Sequence, residues 1–260
     1  MTAQPDPLKI NPPKSQVPPS AGQQPAPSGV EYIPVFDTGE QAFTTWYCRP
    51  KRVKADGTLV AEDILLSEGL EDRAVNEKLV STNMIRTLDG AVSLGRRLFN
   101  RGEAAATILV PINGMALTRK EIVGAFTNAC RRIEDEIKAM LIFEVTNIAD
   151  TVRMSYLDDI AIILFLFCRG YIGRISPKIT DLRIFGTCNY HGVSLPLMDK
   201  PWPAATVNPY LTNFVANAQS NRLKAYLHGV GTPAIAEMAT IAGVNFLDGI
   251  AMRPKVGGLR

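Results

Sequence analysis

The sequence predicts a parallel α/β architecture closed into a TIM-type (β/α) barrel. Three observations carry that prediction. Strand and helix signals alternate many times over roughly 220 residues, the pattern of repeated βα units. Two strands, TILVPIN at 107–113 and MLIFEVT at 140–146, are nearly all apolar, as strands covered on both faces must be. No GxGxxG follows the first strand and no Walker P-loop exists, so the open dinucleotide- and nucleotide-binding sheets lose support.

Taken in order, the chain opens on a different composition. Pro5, Pro7, Pro12, Pro13, Pro18, Pro19, Pro25 and Pro27 lie among Gln, Ser, Ala and Gly, and no aromatic residue precedes Tyr32. Such a stretch cannot bury enough apolar surface to offset its ordering entropy. Residues 1–31 are therefore predicted as a disordered, polyproline-like tail, and 32–260 as the barrel domain. TTWYCRPKRV (44–53) reads as a strand, Ala55-Asp56-Gly57 as a turn, and TLVAEDILL (58–66) as a second short strand carrying Glu62 and Asp63. Residues 70–100 read as a long charged helix with a break near Gly90. In TILVPIN, Pro111 lacks a ladder donor, which suggests a bulge.

Thr118 followed by Glu121 predicts a capping box. Ile122, Phe126, Cys130, Ile133 and Ile137 then form one apolar stripe. A helix is expected over 150–168, short strands at YIGRIS, LRIF and VSLPL, a helix over 209–221 and a strand at LKAYLHGV. Thr232-Pro233 starts a short helix with Pro at the favoured first position, and VNFLDGIAM is the last strand.

Composition narrows the function. Of 260 residues, 46% are hydrophobic and 20% charged, which suits a full globular core. The net charge of +3 does not argue for nucleic acid. The longest apolar run, IAIILFLFC (160–168), falls well short of the roughly 20 residues that span a bilayer. The opening MTAQPDPLKINPP has no apolar signal core, so a soluble cytoplasmic protein is expected. Cys48, Cys130, Cys168 and Cys188 have no CxxC spacing and read as free core thiols. With only His191 and His228, a three-histidine metal site is excluded. Phe165, Phe167, Tyr171 and Tyr190 read as core.

A parallel barrel puts its site at the C-terminal ends of its strands. There the sequence offers Glu62 and Asp63, Asn113, then Glu144, Thr146 and Asn147, and finally His228. This oxygen-rich set suits Mg²⁺ or Mn²⁺ better than zinc. Plainer readings stand beside it: Glu62 as a solvated strand-end carboxylate, Asn113 before Gly114 as a turn, Glu144 paired with a cation such as Lys178, and His228 as a packed strand-end side chain.

HGVGTPAIAEMATIAGVNFLDGIAMRP resembles the closing stretch of the EAL-domain family, bacterial phosphodiesterases of cyclic di-GMP with a modified TIM barrel. VPIN at 110–113 resembles that family's strand ending in Asn, FEVTN at 143–147 its ExTE, and LVAEDILL the Glu-Ala-Leu segment. The resemblance runs from about Tyr47 to Pro254. It implies that Glu62, Asn113 and Glu144 are remnant metal or ligand-pocket positions.

It also implies losses. Asn147 stands for the second ExTE glutamate. ISPKI at 175–179, with Pro177 and Lys178, stands where two aspartates belong. His228 and Gly231 replace both carboxylates of Glu-Gly-Val-Glu. The usual phosphate-binding arginine would fall near Ser67, and no catalytic lysine is located.

The resemblance thus implies a catalytically inactive EAL-like domain with no metal and no other cofactor. It would act as a regulatory or protein-interaction module in bacterial signalling. A protein partner is expected, a homodimer is compatible with the family, and nucleic acid and membrane insertion are not expected. Cyclic di-GMP binding is disfavoured by the lost phosphate contacts. The alternative is an active metal-dependent phosphodiesterase built on Glu62, Asn113 and Glu144. A third reading is an unrelated barrel lyase or aldolase with Lys178 or Lys224 as Schiff-base lysine.

Overall fold

The computed structural model describes residues 28–71 and 74–252, so the predicted tail lies outside the described residues except for its last four. The chain order is β1 (Ser28–Asp37), β2 (Ala42–Arg52), α1 (Glu62–Ser67), β3 (Leu70–Glu71), β4 (Ala74–Val75), α2 (Glu77–Asn100), β5 (Thr107–Asn113), a 3₁₀ turn (Ala116–Thr118), α3 (Lys120–Cys130), α4 (Asp135–Lys138) and β6 (Leu141–Thr146). It continues with α5 (Met154–Leu164), β7 (Gly170–Arg174), α6 (Arg183–Thr187), β8 (Gly192–Pro196), α7 (Ala204–Ser220), β9 (Lys224–His228), α8 (Pro233–Ala242) and β10 (Phe246–Leu247).

Eight strands close a barrel in the order β1-β10-β9-β8-β7-β6-β5-β2. Seven run parallel as expected, and β1 runs against both of its neighbours. β1 is paired along its whole length with β2 but meets β10 only at Phe36↔Leu247 and Asp37↔Phe246. It begins at Ser28, four residues before the boundary read from composition.

Several local readings give way to tertiary structure. TLVAEDILL is not a strand: Val53 bridges Leu59, and Glu62 then opens helix α1, whose Leu65 and Leu66 are buried. Its acidic first turn suits the positive end of a helix dipole. LRIF is helical as well. The Asp181 carboxylate accepts from the Arg183 backbone N–H at 3.0 Å and starts the turn, and Phe185 packs edge-on against Tyr190.

Helix α2 does not break at Gly90. That position is a notch: a Cβ there would come within 2.6 Å of Val30, and Tyr32 donates from its hydroxyl to the Gly90 carbonyl at 3.0 Å. The predicted capping box is absent too. Thr118 donates to the Met115 carbonyl at 2.8 Å and closes the 3₁₀ turn, while Arg119 leads into α3 with no side-chain cap. The apolar stripe holds, with Ile122, Phe126, Cys130, Ile133 and Ile137 all buried, though Ile137 belongs to α4.

Helix α5 is shorter than read, and α7 begins five residues before Pro209, which it contains. Pro111 causes no bulge. The Ile108 N–H donates towards β6 at Met140 O, so by alternation position 111 points its nitrogen towards β2. The β2 ladder stops at Leu109, where no donor is needed.

Two apolar regions result. Ile33, Val35, Tyr47, Leu109, Ile142, Ile172 and Tyr226 fill the barrel interior. A larger cluster lies between the strands and the surrounding helices. Phe167, Tyr171 and Tyr190 are core as expected, whereas Phe165 is exposed beside Ile162 and Leu166. All four cysteines are free. Among the described residues no helix is long and apolar enough to cross a membrane.

Candidate functional site

Period-two alternation decides what the barrel mouth contains. Inward-facing Ile142, Ile172, Tyr226 and Phe246 are each followed two positions later by Glu144, Arg174, His228 and Asp248. An apolar layer is therefore capped by a charged one at the C-terminal ends of the strands. Above it opens a cavity of about 410 Å³ walled in part by Tyr47, Arg49, Glu62, Asp63, Arg174 and His228.

Arg174 organises the charged layer. Its Nη2 donates to Glu144 Oε2 at 2.6 Å and its Nε to Oε1 at 3.2 Å. Its Nη1 donates to Glu62 Oε1 at 2.7 Å, and Nη2 also reaches the Tyr47 hydroxyl at 2.5 Å. Asp63 lies 3.5 Å from Nη1, towards solvent. The Tyr47 hydroxyl in turn donates to Glu62, and Ser194 donates to Glu144. One guanidinium thus joins β7 to β2, β6 and α1, a fork that a lysine could not reproduce.

His228 forms the second pole. Its Nδ1 is bonded to Asp248, whose other oxygen accepts from the Gly229 backbone N–H at 2.9 Å. Its Nε2 sits 3.0 Å from Glu144 Oε1, within ion-pair range but without hydrogen-bond alignment. The ring lies against Tyr47, with centroids 4.8 Å apart.

These contacts fix the protonation states. Burial alone would raise the Glu144 carboxyl, but the Arg174 guanidinium and then His228 hold it far below the usual carboxylate range. Burial alone would neutralise His228, yet Asp248 and Glu144 raise it to about 10, so it is an imidazolium at neutral pH. Burial pushes the Tyr47 phenol well above its ordinary value.

Of the residues read from sequence, Glu62, Glu144 and His228 come together. Asn113 lies close by with another task. Its amide donates to the Leu66 carbonyl at 2.8 Å and its oxygen accepts from the Ala116 N–H at 3.2 Å, tying α1 to the end of β5. Asn113→Ala should cost about 1–3 kcal/mol by leaving both buried backbone groups unpaired. A thermal melt unchanged by that substitution would show the bracket to be dispensable.

The expected Glu144–Lys178 pair is not formed. Lys178 is exposed and bonds Asp150 at 2.9 Å, because β7 ends at Arg174 and delivers that cation first. Neither Lys178 nor the exposed Lys224 at the far end of β9 suits a desolvated Schiff-base lysine. Pro177 is half-buried, and Asn147 is exposed in a left-handed turn with φ 55°. At Gly231 a Cβ would come within 2.4 Å of the Lys200 carbonyl, so backbone fills the room a side chain would need.

Arg174, Tyr47, Ser194 and Asp248 were missed. A polar residue two positions beyond an inward apolar one was the available signal for Arg174 and Asp248.

The residues do not fit the metal that the resemblance implies. Both Glu144 oxygens are engaged by Arg174, Glu62 Oε1 serves Arg174 and Tyr47, and Asn113 is used by backbone. Among the described residues no group of three or more His, Cys, Asp or Glu side chains is placed to hold a metal ion.

No protein-family profile matches the chain. No curated protein matches it by sequence. Solved structures do match. The PaMucR phosphodiesterase in its c-di-GMP complex aligns at TM-score 0.70 with 17% identity over 87% of this chain and 91% of that one. The FimX EAL domain from Pseudomonas aeruginosa bound to c-di-GMP aligns at 0.62 with 11% identity, over 87% and 90%. The Bacillus subtilis YkuI protein, with an EAL domain, in complex with c-di-GMP and calcium aligns at 0.64 with 13% identity, over 85% of this chain and 53% of that one. The chain therefore has the barrel fold of the EAL-domain structures.

Proposed function

We propose that the chain is a catalytically inactive EAL-like domain that serves as a regulatory or protein-interaction module. One observation carries this reading: the Arg174 guanidinium lies between Glu62 and Glu144, the carboxylates a metal-dependent hydrolase would need free. The exposed apolar corner of Ile162, Phe165 and Leu166 supports contact with another protein, either a partner or a second copy of this chain.

Cyclic di-GMP binding without cleavage is the second reading. It is favoured by the mouth cavity, with Arg49 and Arg174 in its wall, and by structural neighbours solved with that nucleotide. Incubation of the full chain with cyclic di-GMP and Mg²⁺ or Mn²⁺, followed by chromatography, should yield no linear dinucleotide. Metal-dependent turnover would overturn the proposal. Calorimetric titration of the nucleotide separates the two readings: micromolar heat makes the domain a receptor, and none leaves an interaction module.

A further inference from the structure

We infer that Arg169, His191 and Lys224 form an oxyanion site at the end of the barrel opposite the mouth, and that its ligand is a phosphate group. The site is remote from the mouth and stands whichever of the two readings of the mouth holds.

Three neighbouring strands deliver the three cations. Arg169 immediately precedes β7, His191 immediately precedes β8, and Lys224 opens β9. β8 pairs with both of the others, so the three starts span two strand spacings, about 10 Å. The backbone ties them together: the His191 N–H donates to the Tyr171 carbonyl at 2.8 Å, and the Lys224 N–H to the His191 carbonyl at 3.0 Å. Gly170 has no side chain to cover His191, whose Cβ would stand only 3.5 Å from one built there.

All three residues are exposed, and none makes an ion pair or a side-chain hydrogen bond among the described residues. Arg96, Lys178 and Arg183, also exposed, each have a carboxylate. Arg222, exposed in a left-handed turn with φ 59°, adds a positive charge at the same end. The cations act on one another: partial burial, then Lys224 and Arg169, lower the proton affinity of His191, and no carboxylate raises it. Asp37, which acts on the Tyr226 phenol, is already occupied, with its Oδ1 accepting from the Gly39 and Glu40 N–H groups at 2.9 and 3.1 Å. Clustered like charges repel, and an anion that bridges them relieves the repulsion.

The three donors differ in shape. A guanidinium offers a planar fork, an ammonium a point charge, and an imidazolium a single directed N–H at each nitrogen. A tetrahedral phosphate has enough oxygens to accept from all three, whereas a carboxylate has only two. His191 is the member whose charge changes near neutrality, so it reports occupancy.

The test follows the His191 ring by NMR in the full chain, with H191Q assigning its signals. The other histidine, His228, is raised to about 10 and stays constant below pH 8. In NaCl, His191 should titrate below its ordinary value, about 6.5. Sodium sulfate of matched ionic strength supplies a tetrahedral dianion of constant charge. There His191 should titrate at least about half a unit higher, because the bound anion favours the imidazolium. Inorganic phosphate added at constant pH should move the ring signals saturably, with one ion per chain. R169Q/K224Q should lose both responses.

No shift in wild type, or an equal shift in R169Q/K224Q, overturns the inference. If the double variant does not fold, R169Q and K224Q are read singly. Each should weaken phosphate binding several-fold, and unchanged binding in both overturns the inference. Co-sedimentation with phosphatidylglycerol vesicles then identifies the source of the phosphate. Pelleting of wild type but not of R169Q/K224Q assigns a lipid headgroup, and any other result assigns free phosphate or a phosphate monoester. Turnover of cyclic di-GMP would defeat the functional reading and leave this site untouched, so the two failures are told apart.

Discussion

Arg174→Met should destabilise the domain by about 3–5 kcal/mol, measured by urea unfolding at pH 7 in the presence of chelator. Methionine keeps much of the stem's bulk and removes the charge. The cost arises mainly from Glu144, which stays buried with no guanidinium to answer it. The loss should also depend on pH in a defined sense.

In wild type the folded-state proton affinity of Glu144 is lowered, first through Arg174 working against burial. Its contribution is therefore present above the ordinary glutamate value, about 4.3, and is lost only in strong acid. Without Arg174, burial is opposed by His228 alone, so the carboxyl rises from its wild-type position. The deficit of the variant should then shrink as pH falls through that higher value. A deficit below about 1 kcal/mol, or one that widens in acid, would mean that the pair contributes little to the fold.

The second large effect is alkaline. His228 is raised to about 10 by Asp248 and Glu144 against the pull of burial. A group raised in the folded state contributes stability that is complete below its unfolded value, about 6.5, and is lost as pH climbs through the folded one. Each tenfold gain in proton affinity is worth about 1.4 kcal/mol. His228→Gln, which cannot carry the charge, should fall several kcal/mol below wild type at pH 7. The two unfolding curves should converge as pH approaches 10. A gap that stays constant across pH 7 to 10 would show that the ring is neutral and held by packing against Tyr47 alone.

The strands that fill the barrel could be read directly, because TILVPIN and LIFEVT combine apolar faces with β-formers and have one way to be covered. The first strand could not. Ser28–Glu31 share the composition of the Pro-rich stretch before them, and Pro34 interrupts the run, yet β2 supplies a partner along the whole length. Segments 58–66 and 182–185 were misread for the opposite reason. Their β-branched and leucine-rich character is local, whereas their helical state is decided by buried Leu65, Leu66 and Phe185.

At the site, Glu144 and His228 stood out as strand-end polar residues. Arg174 occupies the equivalent place in YIGRIS, but its meaning lies in Glu62, which is 112 residues away. No local pattern carries a pairing of that span. Asp248 sits beyond a strand of only two residues, too short for its alternation to be noticed.

The reversed first strand has a consequence for how the molecule assembles. β1 and β2 form a hairpin joined by a short turn, so they can pair at once, and each later strand can be laid against its predecessor as it emerges. The join between β1 and β10 is different. It consists of two residue pairs, together with Thr38, whose hydroxyl donates to the Val244 carbonyl 206 residues further on. Bringing those ends together carries the largest loop-closure cost in the barrel and returns only two residue pairs. Ring closure is thus expected to be the last step of folding and the first to be undone. Because Asp248 follows β10 directly and bonds His228 and Gly229 at the end of β9, the imidazolium is set in place when β10 docks on β9, one step before the ring is complete.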